Sequence, residues 1–171
     1  YSMGARLALQ LAVRGIGSWG ALVLISGTAG LVEGREERKQ WDMSVAERLR
    51  NSTHEEFWNF WSSLSILQSQ QNIDSAFQEA RALRREQSSL DALAASMEGF
   101  GAGSMPAVWD QLSAIDVPVL LIVGEEDAKY RKLAKRLQKH LFRSECVVMS
   151  NCGHAPHLEC PVETASVIDS W

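Results

Sequence analysis

The chain has 171 residues, 46% of them hydrophobic, enough for one packed domain or a large part of one. A formal net charge of -4 argues against a nucleic-acid-binding face, and no apolar run approaches the ~18 residues of a membrane span, so a soluble protein is expected. Three cysteines (Cys146, Cys152, Cys160), an odd number without a Cys-x-x-Cys pair, make disulfide scaffolding or a zinc ribbon unexpected and favour a reducing compartment.

The first residues, Tyr1-Ser2-Met3-Gly4, are four fifths of Gly-x-Ser-x-Gly. That motif turns a strand sharply into a helix and holds its serine in a strained backbone conformation, with small neighbours because a side chain there would collide with the turn. Residues 6–13 continue as a strong helix former with a broad apolar face. The hydroxyl of Ser2 is then exposed, and the amide of Met3 can receive an oxyanion. Because the chain lacks an initiator methionine and begins inside the motif, it is expected to be a piece of a longer protein, without the N-terminal strands of its sheet. By itself it is expected to be inactive and poorly folded, since a second oxyanion donor would come from an earlier loop.

Residues 21–26, Ala-Leu-Val-Leu-Ile-Ser between Gly20 and Gly27, form a short continuous apolar run, as in a strand covered on both faces. Helix followed by buried strand begins a parallel α/β pattern. Residues 28–116 differ: four helices are predicted over 33–51, 54–64, 74–87 and 89–99, rich in charge and tryptophan. A helical insertion of this length between two strands is most simply a cap over the strand ends, where such sheets bind ligands. Residues 117–124 are the clearest strand, β-branched and apolar, ending in Glu125-Glu126-Asp127. An amphipathic helix over 129–141, a strand over 145–149, the loop Ser150-Asn151-Cys152-Gly153-His154 and a helix from Pro161 complete the chain. The expected organisation is a core of residues 1–27 and 117–171 interrupted by a cap of residues 28–116.

Ser2, Asp127 and His154 fall at a strand-to-helix turn, a strand end and a loop after a strand, positions that share one edge of a parallel sheet. The order serine, acid, histidine is that of the α/β-hydrolases. The imidazole takes the proton of the serine, and the carboxylate fixes the tautomer and supports the imidazolium. Glu125 and Glu126 are competing acids, Asp127 being preferred because the strand must turn before its acid can face a neighbouring loop. His157 is a competing base. A metal pair of His154 and His157 is disfavoured, since Pro156 interrupts helical spacing and no third ligand is near. No metal and no cofactor are expected.

Tyr-Ser-Met-Gly-Ala-Arg-Leu-Ala-Leu, Val-Gly-Glu-Glu-Asp-Ala-Lys-Tyr and Gly-His-Ala-Pro-His-Leu-Glu-Cys-Pro together resemble the α/β-hydrolase superfamily. More narrowly, Arg6, the stretches Glu-Glu-Arg-Lys-Gln-Trp-Asp and Phe-Trp-Asn-Phe-Trp, and Met-Pro-Ala-Val-Trp-Asp-Gln-Leu are similar to the MenH-type SHCHC synthases of menaquinone and phylloquinone biosynthesis. The resemblance implies an α/β-hydrolase fold with a helical cap, and a lyase in which Ser2, activated by His154, removes a ring proton and pyruvate is eliminated. It implies a small polycarboxylate substrate, with Arg6, Arg38 and Arg85 at carboxylate-binding positions, Trp61 at a cap aromatic and Tyr1 beside them. Arg84 is adjacent to Arg85, and a slip of one residue would exchange them. Residues 28–112 hold eight basic and thirteen acidic side chains, so anion selectivity must come from a few aimed guanidinium groups rather than bulk charge. A cytoplasmic setting is expected, or a plastid if the chain belongs to a larger fused pathway protein. A general hydrolase of esters or carbon-carbon bonds and a noncatalytic or fused module are the alternatives.

Overall fold

The structure is a computed structural model that describes residues 1–71 and 73–171 in full and residue 72 within its helix only. It divides into two compact units, one of Tyr1–Gly30 with Val108–Trp171, the other of Leu31–Ala107.

The first unit is built on three parallel strands in the order of the chain: β1 (Leu22–Ile25), β2 (Val119–Gly124) and β3 (Ser144–Met149). Leu22 pairs with Val119, and Val119 with Ser144, so the strands run in step. All six residues of β2 are buried, which explains its unbroken apolar sequence: a middle strand covered on both faces has no solvent side on which to alternate. α1 (Met3–Val13) packs beside β1, while α6 (Ala128–His140) buries Tyr130, Ala134 and Leu137 and packs against β2 and β3. The exposed face of α6 is almost entirely basic, so its amphipathicity follows the helical period read from the sequence. Leu9, Leu24, Leu112, Leu120, Leu121, Ile122 and Leu137 are essentially inaccessible, each worth about 1.5–3 kcal/mol in burial. A 3-10 helix at Trp109–Ala114 leads into β2, anchored where the Trp109 indole donates to Gly30 O at 2.9 Å. After β3 come the short α7 (Pro156–Glu159) and α8 (Pro161–Ser170), each opening on a proline, whose fixed φ suits the first helical turn.

The second unit is helical: α2 (Arg35–Asn51), α3 (His54–Ser62), a 3-10 helix at Ser65–Asn72, α4 (Ser75–Glu86) and α5 (Leu90–Phe100). Its helix starts are set by side chains that satisfy otherwise orphaned amides. Thr53 and Glu56 form a reciprocal capping box, Asp74 accepts from Ala76 N, and Ser89 accepts from Ala92 N. Val45, Ala46 and Leu49 of α2 pack with Ala94 of α5 and Phe57 of α3, surrounded by Trp41, Trp58, Phe60 and Trp61. Within this core Asp42 is fully buried, and its carboxylate is satisfied by Gly103 N at 2.9 Å and Arg38 Nε at 2.8 Å.

One expectation is corrected. Cys152 and Cys160 are joined as a disulfide across eight residues, leaving Cys146 as the free thiol. Counting cysteines could not reveal this, because it is the turn of α7 that returns the chain to Cys152. Residues 65–72 carry no apolar period strong enough to mark a helix, yet form a 3-10 segment between α3 and α4.

Candidate active site

Ser2 adopts φ 46° and ψ -108° immediately before α1, a left-handed conformation that L-residues rarely hold without compensation. The strain is held by Ser2 N donating to Ile25 O at 2.9 Å and by Arg6 N donating to Ser2 O at 3.1 Å. Ser2 is thereby held at the C-terminal end of β1. Met3 is the first residue of α1, where a helix leaves its N–H without an intrahelical acceptor.

β2 ends at Gly124, and the chain turns through Glu125 and Glu126 before Asp127. Asp127 caps α6, one oxygen (Oδ1) accepting from Tyr130 N at 3.0 Å. Its other oxygen, Oδ2, lies 2.6 Å from His154 Nδ1. Since an ionised carboxylate can only accept, Nδ1 carries the proton and Nε2 presents its lone pair. That nitrogen is 3.1 Å from Ser2 Oγ, which donates to it. The imidazole is 3% exposed, and the rings of Tyr130 and Tyr1 pack beside it at 4.5 and 5.3 Å between centroids. The result is a serine–imidazole–carboxylate array, its imidazole and carboxylate buried, with a geometry suited to proton transfer from the serine hydroxyl.

The competing acids lie elsewhere: Glu125 and Glu126 are exposed, and Glu125 Oε2 accepts from Asn151 N at 3.2 Å. His157 packs against Tyr1 with tilted rings at 4.6 Å, and burial holds its imidazole below the usual 6.5. Among the described residues no three His, Cys, Asp or Glu side chains converge as a metal site. No helix among them is long and apolar enough to cross a membrane.

The anion-binding candidates have distinct environments. Arg6 is 5% exposed in α1, one turn from Ser2. Arg38 pairs with Asp42 through Nε and stacks over Trp41 at 4.6 Å. Arg85 is half-buried over the Trp58 ring at 4.4 Å, with Ser62 Oγ at 3.5 Å. Burial, and then the charge of Arg81, lower its pKa to about 10. Arg84 is exposed. Trp61 packs in the aromatic cluster of its own unit, stacked on Phe57 at 5.8 Å and 6.4 Å from Trp41.

Sequence reasoning missed Gly124 and Tyr130. A Cβ on Gly124 would lie 2.0 Å from Gly153 O and 2.2 Å from Cys152 O, so only glycine lets the histidine loop reach the end of β2. The glycine that closes the apolar run was the available signal. Tyr130 had none, because its part combines a backbone amide with a ring face. His54 and His140 are half-exposed, with Nδ1 atoms 3.0 Å from Arg85 O and 2.9 Å from Arg136 O.

A family model described as the alpha/beta hydrolase family matches residues 1–167. The chain belongs to that family. Its three parallel strands and flanking helices are part of the α/β-hydrolase fold, and Ser2 sits at the strained turn that opens α1. It is similar to the structure titled MenH from S. aureus, with 32% identity and a TM-score of 0.95, covering 99% of this chain and 65% of that one. A Salmonella arizonae protein named 2-succinyl-6-hydroxy-2,4-cyclohexadiene-1-carboxylate synthase is 31% identical, over 99% of this chain and 64% of its own length. The Arabidopsis thaliana protein named PHYLLO, chloroplastic, is 30% identical over 95% of this chain, which is 10% of that protein. The chain thus spans less than two thirds of the relatives it matches.

Proposed function

We propose that the whole protein carrying this chain is a 2-succinyl-6-hydroxy-2,4-cyclohexadiene-1-carboxylate synthase, a lyase working with α/β-hydrolase machinery. The observation that carries this reading is the relay from Asp127 through His154 to Ser2, at 2.6 and 3.1 Å, in a chain 31% identical to a protein of that name. His154 accepts the Ser2 proton, the alkoxide removes a proton from the substrate ring, and the released electron pair moves through the ring to expel the enolpyruvyl oxygen as pyruvate. Proton abstraction requires no covalent intermediate: the ring proton restores the Ser2 hydroxyl, and the proton held on His154 passes to the departing enolate, which becomes pyruvate. Met3 N–H would stabilise charge developing on a substrate oxygen.

A substrate with several carboxylates needs cationic partners when it leaves water. We assign that part to Arg6, Arg38 and Arg85, with Trp61 and Tyr1 as aromatic contacts for the substrate. Arg85 has the strongest physical case of the cap arginines, because its guanidinium has already lost much of its hydration and gains most from an incoming anion. The Nη groups of Arg38 can donate while Nε remains with Asp42. The setting proposed is the bacterial cytoplasm, or a plastid where the chain is a module of a longer protein like the plant relative.

The test is pyruvate release from the enolpyruvyl substrate by the whole protein, lost in Ser2→Ala and strongly weakened in Arg6→Ala. Vigorous ester hydrolysis without pyruvate release would replace this reading with that of a general serine hydrolase.

A further inference from the structure

Glu159, on α7, is an acidic side chain that the relay does not use. It points back at the histidine loop: Oε2 accepts from Gly153 N at 2.5 Å and Oε1 accepts from Ala155 N at 2.8 Å. One carboxylate therefore spans the amides immediately before and after His154. Hydrogen bonds to an ionised acceptor are roughly twice as strong as neutral ones, and two of them on one rigid group fix orientation as well as distance. The loop needs such a brace. His154 must hold Nε2 at 3.1 Å from Ser2 while Nδ1 stays on Asp127, and it follows Asn151, whose φ of 55° is another left-handed residue. The backbone between them makes a close approach to Gly124. The side-chain bond to Asp127 limits the imidazole, but it does not fix the peptide planes that carry it.

We infer that Glu159 is a positioning residue for the reaction, its carboxylate splinting the backbone on both sides of His154 so that the imidazole stays in register with Ser2. This rests on the reading of Ser2, His154 and Asp127 as a working relay, and not on the identity of the substrate. A carboxylate is required because both partners are donors. Glutamine keeps the shape but offers one oxygen, and its amide N–H would face a peptide N–H. Aspartate is one methylene shorter and cannot span both amides.

The experiment compares Glu159→Gln and Glu159→Asp with the unaltered whole protein. It reads the rate at which an alkyl fluorophosphonate labels Ser2, the kcat and KM of pyruvate release, and the thermal unfolding midpoint. Labelling and kcat are expected to fall together by roughly 10- to 100-fold, as for a sub-ångström to ångström misplacement of a catalytic base, with KM little changed. The fall should be present at temperatures where both variants are fully folded. Labelling by both variants at the unaltered rate would overturn the inference. So would a loss that merely tracks the unfolded fraction, or a rise in KM alone. Because labelling does not depend on the natural substrate, absence of pyruvate release with normal labelling would sink the synthase reading and leave this one standing or falling on the variants. Failure of the unaltered protein to label would overturn the relay and this inference with it.

Discussion

The carbonyl oxygen of Gly153 occupies the place where a side chain on Gly124 would begin, 2.0 Å from the position of its Cβ. The end of the middle strand and the histidine loop are thus in backbone contact, and the 2.6 Å bond from His154 to Asp127 depends on it. Gly124→Ala is expected to displace the loop, lowering kcat about 100-fold and destabilising the fold by about 1–3 kcal/mol, as overpacking does. Steady-state kinetics and denaturant unfolding measure the two effects. Unaltered kinetics would mean that the loop can shift without disturbing the imidazole.

Asp127→Asn should preserve packing but reverse the tautomer. An asparagine that turns its amide toward Nδ1 leaves the proton on Nε2, where it opposes Ser2. A fall in kcat on the order of 10³ to 10⁴-fold is expected, by analogy with serine proteases. It should be accompanied by little change in unfolding midpoint. Pyruvate release and fluorophosphonate labelling report it independently.

Much of this architecture could be read before any coordinates, for reasons that differ by element. β2 was visible because a strand buried on both faces must be apolar at every position, and α6 because its leucines recur at helical spacing. The 3-10 helix at Ser65–Asn72 was invisible because its polar sequence has no periodic face. The proximity of Ser2, Asp127 and His154 could be argued from their places at the ends of a parallel sheet. Gly124, Tyr130 and Glu159 could not be assigned in that way, because each acts through backbone groups whose positions exist only in the folded chain. Arg38 and Arg85 also look alike in sequence, and the difference between them is that only Arg38 has a buried carboxylate, Asp42, four residues on.

The half-burial of Arg85 beside the exposed Arg84 predicts separable behaviour of these neighbouring arginines. Arg85→Met should raise KM for the polycarboxylate about 10- to 100-fold, the loss of a charge-assisted contact of about 1.5–3 kcal/mol, while kcat changes less. Arg84→Met, at an exposed position, should change neither appreciably. A reversal of the two effects in steady-state kinetics would transfer the proposed contact to Arg84.

His157 supplies a pH signature. Burial, supplemented by His154 and opposed by Glu159, holds its imidazole below 6.5 in the folded state. The unfolded chain therefore takes up this proton first as pH falls. The stabilisation from neutral His157 is fully present above pH 6.5 and is lost as pH drops from there through the lowered folded value. Denaturant unfolding at pH 7.5 and 5.5 should show a smaller loss of stability in His157→Gln than in the unaltered protein. Equal losses would show that other groups, the carboxylates foremost, account for the acid sensitivity.

Ala5 stands directly beneath the bend after β1: a Cβ on Gly27 would lie 2.9 Å from its methyl. The elbow helix and that bend therefore share room for one methyl group between them. Either position can carry it, provided the other gives it up, so Gly27→Ala should be harmful alone and relieved by Ala5→Gly. Such an exchange would let the two sites drift as a linked pair across evolutionary time while the serine between helix and strand stays where it is.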